Sequence, residues 1–378
     1  MNLKPFRIEH YFAKYEFTAE YTLSSSDAQS RNLADLFALE PTAKTAMDKL
    51  WLGYTESPGA PTLRQTISGI YENITAEDVL VTAAAEEGIF LAYHALVGDG
   101  DHVIVETPCY ESALELARST GAQVSPWDRH FEDAWQHDLD ALETLLQPNT
   151  RFMYINTPSN PTGTLMAPDT FRDVLAWAES HNITVFCDEV YRESEHDPTD
   201  RLPAACDLYT NAISLGSMSK SYGLPGLRLG WLVCRNPDIL QKLHDMKLYT
   251  SICSSAPSEF LCDLALRHRQ ALVDDTRSII HTNLALLEDF ITRYTNMLSW
   301  VKPQASTICF PKVQLQGKLA EKFAGNVTAW CEDVVNTTSV MLLPGTVYDM
   351  TDHVRIGYGR RNMPEALGRL EQYLQDYC

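Results

Sequence analysis

Ser217-Met218-Ser219-Lys220-Ser221-Tyr222-Gly223-Leu224-Pro225-Gly226-Leu227-Arg228-Leu229-Gly230 follows directly on the strand-like segment Ala212 to Leu215. Serine hydroxyls and two cations, Lys220 and Arg228, flank a glycine-rich turn, and that composition suits a phosphate dianion. The turn is not the nucleotide-binding loop G-x-x-x-x-G-K, which the chain lacks. A lysine held near a second cation and shielded from water has a lowered pKa, so its neutral amine can act as a nucleophile. A lone lysine in a polar loop is ordinarily a solvated surface residue. The rest of the sequence must decide between these two readings.

Outward from this stretch, strand-like and helix-like segments alternate. Val79 to Thr82 reads as a strand, followed by a helix from Glu86 to Leu96 that stops at Gly98 and Gly100. His102 to Val105 is a short β-branched strand, and Tyr110 to Arg118 a helix that ends near Gly121. Phe152 to Ile155 is an apolar strand. Asp169 is expected to cap a helix running to about His181, and Ile183 to Cys187 and Leu229 to Val233 repeat the strand theme. Such alternation predicts an α/β layered domain with a mostly parallel sheet. In such sheets the chemistry collects beyond the carboxyl ends of the strands.

The pattern changes after about Ser258. Phe260 to Tyr294 contains no glycine or proline and reads as one long helix. Strand-like pieces follow at Ser306 to Phe310, Ser339 to Leu342 and Val354 to Ile356. A last helix is expected from Met363 to about Leu374, with Asn362 as its N-cap and Glu365 completing a capping box. This half reads as an α+β domain, joined by the N-terminal arm.

The 378 residues exceed one domain's worth at about 150 residues each. With 30 basic and 50 acidic side chains the formal charge is −20, which argues against nucleic acid or an anionic membrane as partner. No apolar run approaches the ~18 residues of a membrane span, and Met1 to Phe17 lacks the apolar core of a signal peptide. Nine cysteines without a C-x-x-C pair read as reduced thiols in a cytoplasmic chain. The histidines are scattered. Glu195-His196-Asp197 is the one local His–carboxylate group, and it reads as a solvated loop rather than a metal site.

The Lys220 stretch resembles the lysine-attachment motif of the class I/II aminotransferases, pyridoxal-phosphate enzymes of fold type I. Ser217, Ser219, Gly223, Gly226, Arg228, an aliphatic residue and Gly230 all stand at that motif's spacings. Further segments match in the family's order. Asn160-Pro161-Thr162-Gly163 looks like its N-P-x-G loop, and Asp188-Glu189-Val190-Tyr191 like its D-x-x-Y. The resemblance implies that Lys220 holds pyridoxal 5'-phosphate as a Schiff base and that Asp188 keeps the pyridine nitrogen protonated. It implies that Asn160 and Tyr191 share the ring oxygen and that Tyr110 stacks on the ring. Backbone N–H groups at Ala84 and Ala85 would hold the phosphate at a helix N-terminus, with Ser217, Ser219 and Arg228. Arg355, in Val354-Arg355-Ile356-Gly357, aligns with the arginine that clamps the substrate α-carboxylate. Tyr54, before Gly59 and Leu63-Arg64, aligns with the tyrosine that reaches the other subunit's phosphate in a homodimer.

Two departures stand out. The phosphate turn has Ala83-Ala84-Ala85 where Gly, Ser or Thr is usual. Near the N-terminus, Leu23-Ser24-Ser25-Ser26-Asp27-Ala28 replaces Gly-x-Gly-Glu-Pro, so Ser26 sets a hydroxyl where a glycine faces substrate. The resemblance implies a large domain of residues 36–265, its mostly parallel sheet sandwiched by helices. A smaller α+β domain would be built from 1–35 and 266–378. It implies an amino acid and a 2-oxo acid as substrates, with transamination by a ping-pong mechanism. A pyridoxal-phosphate lyase, cyclase or oxidase on the same scaffold is the alternative that Ser26 and the alanine turn favour. A cofactor-sensing regulator would need a helix-turn-helix module, for which about 35 residues ahead of the large domain leave no room.

Overall fold

A computed structural model describes residues 3–377. Seven strands form one sheet: β1 (Val79–Thr82), β2 (His102–Thr107), β3 (Gln123–Asp128), β4 (Thr150–Asn156), β5 (Thr184–Asp188), β6 (Ala212–Ser217) and β7 (Gly230–Val233). Their order is β1-β7-β6-β5-β4-β2-β3, and β7 alone runs against the others. Successive side chains of a strand point to opposite faces, so each strand feeds two apolar layers. Val103, Val105, Phe152, Tyr154 and Phe186 pack against the helices Ala84–Leu96 and Glu111–Ser119 on one side. Ile104, Met153, Ile155, Val185 and Cys187 pack against the helix Pro168–Ser180 on the other. Burial on both faces is why these strands read as near-continuous apolar runs rather than alternating ones.

The parallel strands β4, β5 and β6 end at one edge, where Asn156 pairs with Asp188 and Asp188 with Leu215. The Lys220 stretch leaves that edge at Ser217 and returns to it at Gly230, which pairs with both Ser217 and Thr82. A Cβ on Gly230 would stand 2.9 Å from both Ala84 C and Ala85 N. Only glycine lets the lysine turn press against the start of the helix Ala84–Leu96.

The C-terminal third builds a separate apolar core from Leu287, Trp330, Ile356 and Leu370, and Leu23 of the N-terminal arm joins it. Five short strands serve this part: β8 (Leu298–Ser299), β9 (Ile308–Cys309), β10 (Lys312–Val313), β11 (Leu343–Pro344) and β12 (Val354–Gly357). β12 lies between β11 and β9. The arm runs along β12, with Gly357 N–H donating to Leu23 O at 2.8 Å. The arm opens with a helix, Arg7–Tyr15, tied down by Arg7 to Glu111 and Asp349, each at 2.6 Å.

Several sequence expectations need correction. Phe260 to Tyr294 is two helices, Ala256–Arg267 and Arg269–Arg293, broken at His268. The break needs neither glycine nor proline, because the backbone itself closes the first helix with His268 N–H donating to Ala265 O. Ser339 to Leu342 is not a strand. Ser339 ends the helix Val327–Thr338 in the left-handed region at φ 61°, and pairing of β11 begins only at Leu343. Ser306 also has positive φ, which shortens its strand to Ile308–Cys309. Asp169 is in the first turn of its helix rather than at the cap, which is Ala167. Asn362 makes no side-chain capping bond. Glu195 is buried and paired with Arg201 at 3.0 Å and His196 is half-buried, so of Glu195-His196-Asp197 only Asp197 is solvated. Burial pushes the His196 imidazole down to about 4. Among the described residues no group of His, Cys, Asp or Glu could hold a metal ion. No described helix is long and apolar enough to cross a membrane.

Candidate active site

A cavity of about 330 Å³ opens at the carboxyl edge of the sheet. It collects Ser26, Ala84, Ala85, Tyr110, Asn160, Asp188, Tyr191, Ser217, Ser219, Lys220, Arg228 and Arg355 on its walls. The structure thus brings together every site residue expected from the sequence except Tyr54. Tyr54 is 87% exposed and lines a surface hollow with Cys253 and Ser254.

Asp188 ends β5 with its carboxylate buried. Val190 N–H donates to Oδ1 at 3.2 Å and Tyr154 Oη–H to Oδ2 at 2.9 Å. Loss of water pushes this carboxyl up to about 6, against the pull of those two donors and of Lys220. Lys220 moves the opposite way. Burial lowers its ammonium to about 8, with Arg355 adding and Asp27 opposing. Its Nζ donates to Ser26 Oγ at 2.8 Å and is 5.8 Å from the centre of the Tyr191 ring. Lys220 and Asp188 face one cavity without pairing to each other, so a ligand can stand between them.

Arg355 is 1% exposed on β12. Its guanidinium donates to Ser24 O at 2.9 Å, Tyr348 Oη at 2.6 Å and Asn160 Oδ1 at 3.2 Å. Among the described residues it has no carboxylate partner, and a buried cation without a counter-charge is costly unless a ligand supplies one. Asn160 also accepts from Tyr348 Oη at 3.1 Å, and Asn156 Oδ1 holds its backbone N–H at 2.7 Å.

Ala84 begins its helix at φ 69°, a backbone region that favours glycine, and Thr82 Oγ1 donates to Ala84 O at 2.8 Å. Arg228 closes the Lys220 turn, also at positive φ, and makes no ion pair among the described residues. Ser217 Oγ accepts from Ser219 N–H and donates to Ser219 Oγ, both at 3.1 Å. Tyr110 leads into the helix Glu111–Ser119, and its hydroxyl donates to Glu9 at 2.7 Å.

Sequence reasoning missed Ile8, Glu9, Phe12 and Glu16 of the first helix, all on the cavity wall. Their spacing on one helical face is the signal that could have found them. It missed Glu86 as well, whose carboxyl burial pushes up to about 7. Tyr154 and Tyr348 were invisible, because an apolar strand and a lone tyrosine carry no mark of what they touch.

Fold and cavity together define a pyridoxal-phosphate-dependent enzyme of fold type I. The sequence pattern of the aminotransferase class I and II family matches residues 21–370, and the chain belongs to that family. It is 28% identical over 371 residues to capreomycidine synthase of Streptomyces vinaceus, covering 97% of this chain and 93% of that one. It is 28% identical over 354 residues to aspartate aminotransferase of Pyrococcus horikoshii, covering 89% and 87%. Its fold matches a PLP-dependent aminotransferase from Streptococcus suis at TM-score 0.92 and 28% identity, over 100% and 99% of the two chains. A PLP-dependent cyclase, OrfR, shares the fold at TM-score 0.91 and 24% identity, over 100% and 99%.

The cavity's chemistry fits the cofactor. Tyr191 Oη is buried without a hydrogen-bond partner among the described residues, as a hydroxyl waiting for a ligand would be. An amine lowered to about 8 suits an aldehyde, and a buried carboxylate suits a protonated ring nitrogen.

Proposed function

We propose that this chain is an aminotransferase that moves an amino group between an amino acid and a 2-oxo acid by a ping-pong mechanism. The observation that carries this reading is the meeting of Lys220, Asp188 and Arg355 in one cavity, with Arg355 buried and without a carboxylate. In it, Lys220 would bind the cofactor aldehyde, Asp188 would serve the ring nitrogen, and Asn160 and Tyr191 the ring oxygen. Tyr110 would cover the ring. The backbone at Ala84 and Ala85, with Ser217, Ser219 and Arg228, would take the phosphate. When bound, pyridoxal phosphate supplies a sink for the electrons left at Cα when its proton departs. Arg355 grips the α-carboxylate through two N–H groups and so fixes which Cα bond is presented. Once the incoming amino group has taken its place on the aldehyde, the released Lys220 amine, partly neutral near pH 8, would take up the Cα proton.

A second reading, an internal cyclisation or other rearrangement without net amino transfer, is favoured by two observations. Ser26 sets a hydroxyl 2.8 Å from Lys220 Nζ, and the likeness to capreomycidine synthase runs over 97% of the chain. The test is a panel of amino acids with and without a 2-oxo acid, followed by product mass analysis. Transamination predicts a new amino acid formed only when the oxo acid is present. A rearranged product that needs no oxo acid would replace the first reading with the second.

The reading extends to a homodimer in which Tyr54 serves the partner's phosphate site. Exposed Leu52 and Tyr54, which line one hollow, and exposed Trp51, Tyr249 and Ile252, close in sequence to its lining residues, support it. The division into residues 36–265 and 1–35 with 266–378 belongs to the same reading, supported by the separate apolar core of the C-terminal third. A cytoplasmic home is supported by the eight free cysteines among the described residues.

A further inference from the structure

One face of the first helix turns into the cavity. Glu9, Phe12 and Glu16 follow at i, i+3 and i+7, so a carboxylate, an aromatic ring and a second carboxylate form a stripe along it. Phe12 fixes where that stripe stands, because the Arg355 guanidinium lies 5.7 Å from its ring centre. The two acids therefore flank the spot where a substrate's α-carboxylate docks, and Arg355 can neutralise only that one group.

The charges on this wall are uneven. Asp27 is neutralised by Arg360, whose Nη2 reaches both its oxygens at 3.0 Å. Glu9 accepts one hydrogen bond, from Tyr110. Glu16 has no hydrogen-bond or ion-pair partner among the described residues. It stands at the C-cap of the helix, where the helix dipole already disfavours an anion. Burial raises its carboxyl above the ordinary value, with Arg360 and Lys220 pulling it down and Asp27 and Glu9 pushing it up. A wall with surplus negative charge, beside a buried unpaired Arg355 and the unpartnered hydroxyl of Tyr191, needs a ligand with positive charge beyond its α-amine.

We propose that the substrate is an α-amino acid with a cationic side chain, whose guanidinium or ammonium group is met by Glu9 and Glu16 across the cavity from Lys220. This deepens the pyridoxal-phosphate reading above and rests on it. An ω-carboxylate is disfavoured for the same reason, since it would meet the two acids while Arg355 is taken by the α-carboxylate and Arg228 by the cofactor phosphate.

The experiment titrates the cofactor-loaded protein with L-arginine, its uncharged near-isostere L-citrulline, and L-glutamate, following the visible absorbance of the bound cofactor. L-arginine is expected to half-saturate at roughly ten- to hundredfold lower concentration than L-citrulline, the difference a charge-assisted hydrogen bond makes. L-glutamate should be weaker than either. Glu9→Gln and Glu16→Gln should each narrow the arginine–citrulline gap, and added salt should narrow it in the unmodified protein. Equal responses to arginine and citrulline in the unmodified protein overturn this inference alone, whether or not the variants fold. A gap that persists in the double variant does the same. If no amino acid changes the absorbance, the underlying functional reading falls and takes this one with it.

Discussion

The two walls of the cavity come from different kinds of sequence. One wall is the edge of the sheet, where Asp188 and Lys220 sit on or just beyond β5 and β6 and Asn160 four residues past β4. The other is the N-terminal arm, where a helix and the run Ser24 to Asp27 are laid against β12 from some 330 residues away in the chain. On the proposed reading the sheet wall serves the cofactor, with residue types at fixed spacing, and the arm wall serves the substrate. One fold can host differing activities, so the two walls need not be read from sequence equally well.

That contrast can be broken at either wall, and the sheet wall should give the larger effects. On the proposed reading Lys220→Ala removes the amine that bonds the aldehyde, so the visible absorbance of the purified protein should vanish and turnover should fall by roughly 10⁴-fold or more. Unchanged absorbance would remove Lys220 from the chemistry. Asp188→Asn keeps the shape but not the charge. Cofactor should still bind, while turnover falls by about 10³-fold, as expected for loss of a preorganised charge at the reacting system. Equal losses of binding and turnover would point to a merely structural aspartate.

Arg355→Lys probes where the walls meet. A point charge replaces a planar fork, so the KM for amino acid should rise roughly ten- to hundredfold while the cofactor stays bound. An unchanged KM would take Arg355 out of the substrate site. The smallest test is a pH series on cofactor-free protein. Burial favours the neutral form of Lys220, and only that form attacks an aldehyde. Capture of pyridoxal phosphate, followed by stopped-flow absorbance, should therefore accelerate about tenfold per pH unit and level off above about 8. Acceleration continuing to pH 10 would mean a lysine with the pKa of an exposed one.

The sheet wall could be read from sequence because each of its residues sits in a dense local pattern. Ser217, Ser219, Lys220, Gly223, Arg228 and Gly230 lie within one turn, and Asp188 is three residues from Tyr191. The alternation of strand-like and helix-like segments is by itself enough to put that turn at a strand end. The arm wall could not be read this way. Glu9, Phe12 and Glu16 are ordinary residues of a short amphipathic helix, and their role depends on tertiary contacts such as Arg7 with Asp349. Tyr154 and Tyr348 were hidden for a related reason. Each has its hydroxyl aimed at a partner, Asp188 and Asn160, that is distant in sequence. The break at His268 and the turn at Ser339 escaped because both use residues without a strong backbone signature. Ser26 is the intermediate case. Its difference from a glycine was legible, but its hydrogen bond with Lys220 was not.

The most direct test of the central claim is to reduce the cofactor-loaded protein with borohydride, digest it, and locate the added pyridoxyl mass. The account predicts a single stable adduct on the peptide containing Lys220. An adduct on another lysine, or none at all, would contradict it.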